Sequence, residues 1–132
     1  MLKRNKRFLI MLLTLALPLG CVGCSLGDSI SYDQISGAEA KSLMDSESGY
    51  IIIDARTKSE YEEGHIRGAI LIPEYEIASR AKNELPDKNQ LILVYCRSGR
   101  RSKIAAEELV KLGYTNVKEF GGIIDWEYEI VK

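Results

Sequence analysis

Between residues 30 and 132 the apolar positions follow two different spacings, and the switches between them divide the chain into elements. Gly49-Tyr-Ile-Ile-Ile-Asp54, Gly68-Ala-Ile-Leu-Ile72 and Leu91-Ile-Leu-Val-Tyr95 are continuous apolar runs of strand length. Runs of this kind, rich in β-branched residues, belong to strands covered on both faces. Residues 30–32 and 116–120 add two shorter candidates. Helical composition fills the intervals. Ser36 with Glu39 three residues later is a capping-box start for a helix running to about residue 46, and Thr57 with Glu60 is a second such pattern, leading into a short helix at 61–64 closed by Gly64. Residues 74–84 form a third helical stretch ending before Pro86. Residues 101–112 form a fourth, stopped by Gly113, and a final helical segment contains Trp126. Strands alternating with helices predict an α/β fold of three layers, a mainly parallel sheet of about five strands with helices on both faces.

In such sheets ligands bind beyond the carboxyl ends of the strands. Asp54, Cys96 and Gly121-Gly122 each stand at such an end, so three separate stretches converge on one rim. Cys96 is the chemically distinctive member. It ends a strand and is followed by Arg97-Ser-Gly-Arg-Arg-Ser102, after which the helical pattern begins at once. Loop amides, the start of the helix and the charges of Arg97, Arg100 and Arg101 are expected to favour the thiolate and lower its pKa below the free value of about 8.5.

The first two dozen residues differ from the rest. Lys3, Arg4, Lys6 and Arg7 precede an apolar run over residues 8–19, and Gly20-Cys21-Val-Gly-Cys24 closes it with small residues and cysteines, a secretory signal pattern. The run is shorter than the roughly 20 residues a spanning helix requires, which favours cleavage over an uncleaved anchor. A small residue before a cysteine also resembles the cleavage box of bacterial lipoproteins. Gly20-Cys21 and Gly23-Cys24 both fit it imperfectly, with Val22 and Ser25 favouring Cys24 as the lipidated residue over Cys21. The expected organisation is an export segment at 1–24, a short tether at 25–29 and one domain at 30–132. The expected location is the outer face of the bacterial cytoplasmic membrane, or the periplasm or medium. Four of the 18 basic residues and none of the 19 acidic ones precede Cys24, leaving 14 against 19, a net charge of −5. That balance excludes a general nucleic-acid surface. It also leaves Cys96 as the single free thiol in a compartment where paired structural cysteines are the norm, which points to reactivity.

Taken together, these stretches resemble the rhodanese family of sulfurtransferases over nearly all of residues 30–132. Ile52-Ile-Asp-Ala-Arg56, Glu60-Tyr61 and Gly64-His-Ile-Arg-Gly-Ala-Ile-Leu-Ile-Pro73 resemble its first signature. Tyr95-Cys-Arg-Ser-Gly-Arg-Arg-Ser102 resembles its active-site loop, and Gly121-Gly122 with Trp126 its closing motif. The departures are Ala55, where valine is commoner, and Arg67, where proline often stands.

The resemblance implies a rhodanese-like fold with Cys96 as nucleophile. Its thiolate would take the outer sulfur of thiosulfate or a similar anionic donor and pass it from a persulfide to a thiol, cyanide or a protein acceptor. Arg97, Ser98, Gly99, Arg100, Arg101 and Ser102 would form the loop that holds the persulfide, with Arg101 the first choice among the arginines for attracting the donor. Asp54 and Arg56 would support the loop. The domain could instead be a persulfide carrier or sulfide-binding module serving a partner protein. A phosphatase or arsenate reductase is a further alternative, weakened because those enzymes place an arginine where Ser102 stands. His65, the sole histidine, reads as a structural hydrogen-bonding residue. Trp126, Tyr32 and Tyr61 read as packing residues, and Glu60, Glu62 and Glu63 as a solvated helix face. No cofactor is expected, and no His/Cys spacing supports a metal site.

Overall fold

Period-two alternation decides which side chains face which helices in the computed structural model, which describes residues 31–132. The export segment expected over 1–24, with Cys21 and Cys24, and the tether expected over 25–29 lie outside the described residues. The elements in order are β1 (Asp33–Gln34), α1 (Gly37–Ser46), β2 (Ile51–Asp54), α2 (Lys58–Glu63), β3 (His65–Ile66) and β4 (Ile70–Leu71). A 3-10 turn (Glu74–Glu76) then leads into α3 (Ile77–Glu84), β5 (Ile92–Cys96), α4 (Arg100–Lys111), β6 (Val117–Gly122), a second 3-10 turn (Ile123–Asp125) and β7 (Ile130–Val131). Strands β1, β6, β5, β2 and β4 form one parallel sheet in that order, while β3 and β7 make a separate antiparallel pair.

All five residues of β5, the central strand, are buried. Ile92, Val94 and Cys96 join Ile53 and the apolar sides of α3 and α4, including Ile77, Ala81, Ala105 and Leu109. Leu93 and Tyr95 point the other way, toward Ala40 and Leu43 of α1, Phe120 and Trp126. Each large apolar side chain so enclosed stabilises the fold by about 1.5–3 kcal/mol. The alternation has a functional consequence. It puts the Cys96 thiol on the α4 side of the sheet, at the end where that helix begins.

Both capping boxes form. Ser36 accepts from the Glu39 amide while the Glu39 carboxylate accepts from the Ser36 amide, and Thr57 with Glu60 repeats the arrangement at the start of α2. Other expectations need correction. Of the strand expected over 30–32, Ile30 lies outside the described residues and residues 31 and 32 are not in a strand; the first described strand is Asp33–Gln34, because its place is set by backbone pairing with Lys118 and Glu119 on an exposed sheet edge, not by apolar residues. Tyr32 packs instead against the core. The strand expected over 68–72 shrinks to Ile70–Leu71. Gly68 sits in a turn at φ 82°, and only the last two residues of β2 are there to pair with. The helix expected around Trp126 is a single 3-10 turn, after which the chain extends to pair with His65 and Ile66. Pairs of two residues carry too short a pattern to be read from sequence.

Candidate active site

Immediately after β5 the chain turns through Arg97 and Ser98 to Gly99, the cap residue of α4, which adopts φ 111°. That left-handed conformation is open to glycine and costs other residues about 1–2 kcal/mol. It aims the Gly99 amide back at Cys96, with N to Sγ 3.0 Å. Ser102, one turn into the helix, places its hydroxyl 3.3 Å from the same sulfur. Burial pushes the Cys96 thiol up, but the Ser102 hydroxyl and the amides of Ser102, Gly99 and Ser98 outweigh it and bring the pKa below its ordinary value.

Of the causes the sequence suggests, the loop amides act on the sulfur, joined by the Ser102 hydroxyl, while the arginine charges are not the main one. Hydrogen bonds at the sulfur, not a cluster of arginine charges, favour the thiolate. Arg97 and Arg100 are exposed, and of the three arginines Arg101 is the one coupled electrostatically to Cys96. Cys96 itself is only 1% exposed, so the sulfur lies at the floor of the loop.

Arg101 is not free. Its guanidinium grips Glu60 with a parallel pair of bonds of 2.7 and 2.8 Å. Glu60 was expected on a solvated face; Glu62 and Glu63 are exposed, but Glu60 caps α2 and ties that helix to the active-site loop. Arg101 holds the Glu60 carboxyl down to about 2, helped by Thr57 and opposed by burial. A carboxyl depressed on folding stabilises the fold above its unfolded pKa of about 4.3 and loses that contribution as the pH falls toward its folded value. Glu60→Gln is therefore expected to cost about 1 kcal/mol at pH 7, after discounting for the solvent that reaches the pair. In urea denaturation the gap from the parent protein narrows between about pH 4.5 and about pH 2. A gap that stays constant would show that the ion pair contributes nothing.

Asp54 and Arg56 form a second buried network. Asp54 accepts from the Arg56 amide and guanidinium and, at 2.7 Å, from the Tyr95 hydroxyl. Arg56 also donates to the Gly64 carbonyl, and the Ile66 amide donates to the Tyr95 oxygen. This network fixes residues 64–66 and the residue before Cys96; its hydrogen bonds do not reach residues 97–102. Burial and the Asp54 charge drive the Tyr95 phenol far above its usual pKa, so it serves as a neutral donor. His65 binds the Tyr61 carbonyl through Nδ1 at 2.9 Å and stacks on the Tyr61 ring.

Gly121-Gly122 closes the site from β6. A side chain on Gly122 would stand 1.9 Å from the Arg97 carbonyl oxygen, so the bare backbone lets residues 97 and 98 lie against the sheet end. Gly121, at φ 86°, turns its amide onto Glu119. Glu119 is the functional candidate that the sequence reading missed. Its side chain is buried, accepts the Gly121 amide at 2.8 Å and lies 2.6 Å from the Ser102 hydroxyl. The available signal was its parity with Val117, which places a carboxylate on an inward face at the rim.

Comparison with known proteins agrees with this fold. Residues 36–129 match the model of the Rhodanese-like domain. The chain is 44% identical over 73 residues to the thiosulfate sulfurtransferase PspE of Escherichia coli, covering 55% of this chain and 70% of that one. It is 40% identical over 97 residues to the putative sulfur carrier protein YrkF of Bacillus subtilis, covering 73% of this chain but only 51% of that protein. Among solved structures, a rhodanese with anions from E. coli superposes with a TM-score of 0.60 at 40% identity, over 64% of this chain and 99% of that one. A cysteine cradled at the sheet's carboxyl rim, on a parallel α/β fold matched along most of the described chain, places this protein in the rhodanese family.

Proposed function

We propose that this domain is a sulfurtransferase carrying sulfur as a Cys96 persulfide. The Cys96 thiolate attacks the outer sulfur of thiosulfate or a similar anionic donor. A new S–S bond forms, the donor's S–S bond breaks, and its electron pair leaves with sulfite. A thiol or cyanide then attacks the outer sulfur of the persulfide and restores the thiolate. The observation that carries this reading is the polar cradle, in which the Gly99 amide and the Ser102 hydroxyl both meet the sulfur. Such donors stabilise the thiolate before attack and can hold the persulfide anion after it.

The same loop argues against phosphate chemistry. Ser102 stands where a phosphatase would need its arginine, and its hydroxyl is already bonded to the buried Glu119 side chain. A sulfur carrier delivering to one protein partner is the second reading, favoured by the deep burial of Cys96. Export through the basic and apolar start of the chain, with lipidation at Cys24 or Cys21, is part of the proposal for where this chemistry takes place.

Intact-mass spectrometry of protein lacking residues 1–24 tests the function. Incubation with thiosulfate is expected to add one sulfur, about 32 Da, at Cys96, and a small thiol is expected to remove it. Loading that is discharged only by a protein acceptor would favour the carrier. No gain on a reduced, accessible Cys96 would overturn the thiosulfate assignment.

A further inference from the structure

Ser102 has one hydroxyl proton and more acceptors than it can serve. Its oxygen lies 2.6 Å from Glu119 Oε1, 2.9 Å from the Gly99 carbonyl, 3.4 Å from the Gly121 carbonyl and 3.3 Å from Cys96 Sγ. The Glu119 contact is the shortest and falls in the range of a charge-assisted O–H···O⁻ bond. Glu119, 3% exposed, is held in place by the Gly121 amide on the same oxygen. With Glu119 ionised, the Ser102 proton points to the carboxylate and its lone pair faces the sulfur. Ser102 then accepts from the Cys96 S–H and favours the thiol. For the hydroxyl to donate to a thiolate, Glu119 must give up its claim on that proton.

We infer that Glu119 takes up, through Ser102, the proton that Cys96 releases on becoming a nucleophile. The thiol proton passes to Ser102 Oγ as the Ser102 proton passes to Glu119 Oε1. The S–H and Ser102 O–H bonds break, a new Ser102 O–H and a Glu119 O–H form, and the total charge is unchanged. The products are a thiolate accepting from Ser102 and a neutral carboxylic acid. Cys96 and Glu119 thus share a single proton, because losing it would leave two anions bridged by one buried hydroxyl. The surrounding charges are already matched or remote in effect. Arg101 is paired with Glu60, Asp54 with Arg56, and Tyr32, pushed up first by burial and then by the Glu107 carboxylate, stays protonated. Glu119 is a positioning residue in this scheme, acting on the sulfur through Ser102.

The inference rests on Cys96 being the nucleophile, but neither test requires sulfur transfer, so the two can fail separately. In full-length reduced protein, iodoacetamide labelling of the tryptic peptide 89–97 is followed from about pH 5 to about pH 10. A shared proton gives two steps separated by a plateau across neutral pH, on which the thiolate fraction does not change. Glu119→Gln, which keeps an acceptor for the Gly121 amide but cannot take a proton, is expected to replace the plateau with one ionisation, rising about tenfold per pH unit below its midpoint. Ser102→Ala is expected to do the same by breaking the bridge. The second measurement needs no variant. Infrared spectroscopy at neutral pH should show a protonated carboxyl that disappears when Cys96 is alkylated, since an alkylated sulfur leaves Glu119 free to ionise. A single-step profile in the parent protein, a plateau retained in Glu119→Gln, or the lack of that carboxyl signal would overturn the inference.

Discussion

Cys96→Ser is expected to abolish sulfur loading while leaving the fold in place. The serine oxygen fits the space of the sulfur and meets the same Gly99 amide and Ser102 hydroxyl, so the cradle keeps its hydrogen-bond partners. A serine hydroxyl is far less acidic than a thiol and stays protonated in this cradle, so it is a far weaker nucleophile than a thiolate, and an oxygen in place of sulfur cannot form the persulfide. Turnover with thiosulfate and a small thiol is expected to fall by a factor of about 10³ or more. The 32 Da gain, about one sulfur atom, is expected to vanish from intact mass. Thermal unfolding should change little, because the swap is smaller by a fraction of a methylene and leaves no buried polar atom unpaired. A variant that still released sulfite catalytically would remove Cys96 from the mechanism. The result applies equally to an enzyme and to a carrier, since both require the persulfide.

Most of the architecture was legible because the long elements carry long patterns. The apolar runs leading to Asp54 and Cys96, and the capped starts at Ser36 and Thr57, fix the order of the layers and the rim on which the site lies. Capping boxes are readable because they are local, with donor and acceptor three residues apart. The pieces that escaped are those whose cause is distant in sequence. Strands β3 and β7 exist because residues 65 and 66 meet residues 130 and 131, and nothing in either dipeptide announces the other. The link from Glu60 to Arg101 spans 41 residues, so the same glutamate is legible as a cap and illegible as an anchor for the loop.

The site shows the same division at finer scale. A cysteine after a buried strand and before an Arg- and Gly-containing loop identifies the reactive atom. What perturbs that atom was legible in part. Loop amides and the helix start were expected at the sulfur, but charge is countable in a sequence, so three arginines were counted in as well, whereas the Ser102 hydroxyl and the direction of the Gly99 amide emerge only from the turn at Gly99. Glu119 was hidden for a related reason. A charged residue in a short strand looks solvated until the parity of Val117, Glu119 and the neighbouring Ser102 is known.

Gly122→Ala is expected to disable the site without touching any group that takes part in the chemistry. The added methyl would stand 1.9 Å from the Arg97 carbonyl oxygen, 2.4 Å from its carbon and 2.6 Å from Ser98 Cα. All three are backbone atoms, so no side-chain rotation relieves the overlap. Either residues 97 and 98 or the end of β6 must move by about an ångström or more, and Gly99, which follows directly, moves with them. The cost has two parts. Overpacking of this kind destabilises by about 1–3 kcal/mol. Displacing the Gly99 amide from the sulfur by about an ångström lowers turnover by about 10²-fold, the scale on which positional errors at reacting centres are felt. Gly113→Ala separates the two parts. Gly113 has φ 94° and nothing within 4 Å of the added carbon, so its replacement carries backbone strain with no displacement of the site. It is expected to lower stability by about 1–2 kcal/mol and to leave turnover per folded molecule unchanged. If the two variants lost stability and turnover in the same proportion, close approach at Gly122 would not be what holds the loop. If Gly122→Ala lost turnover far beyond its loss of folded protein while Gly113→Ala did not, the bare backbone of β6 would be established as part of the cradle.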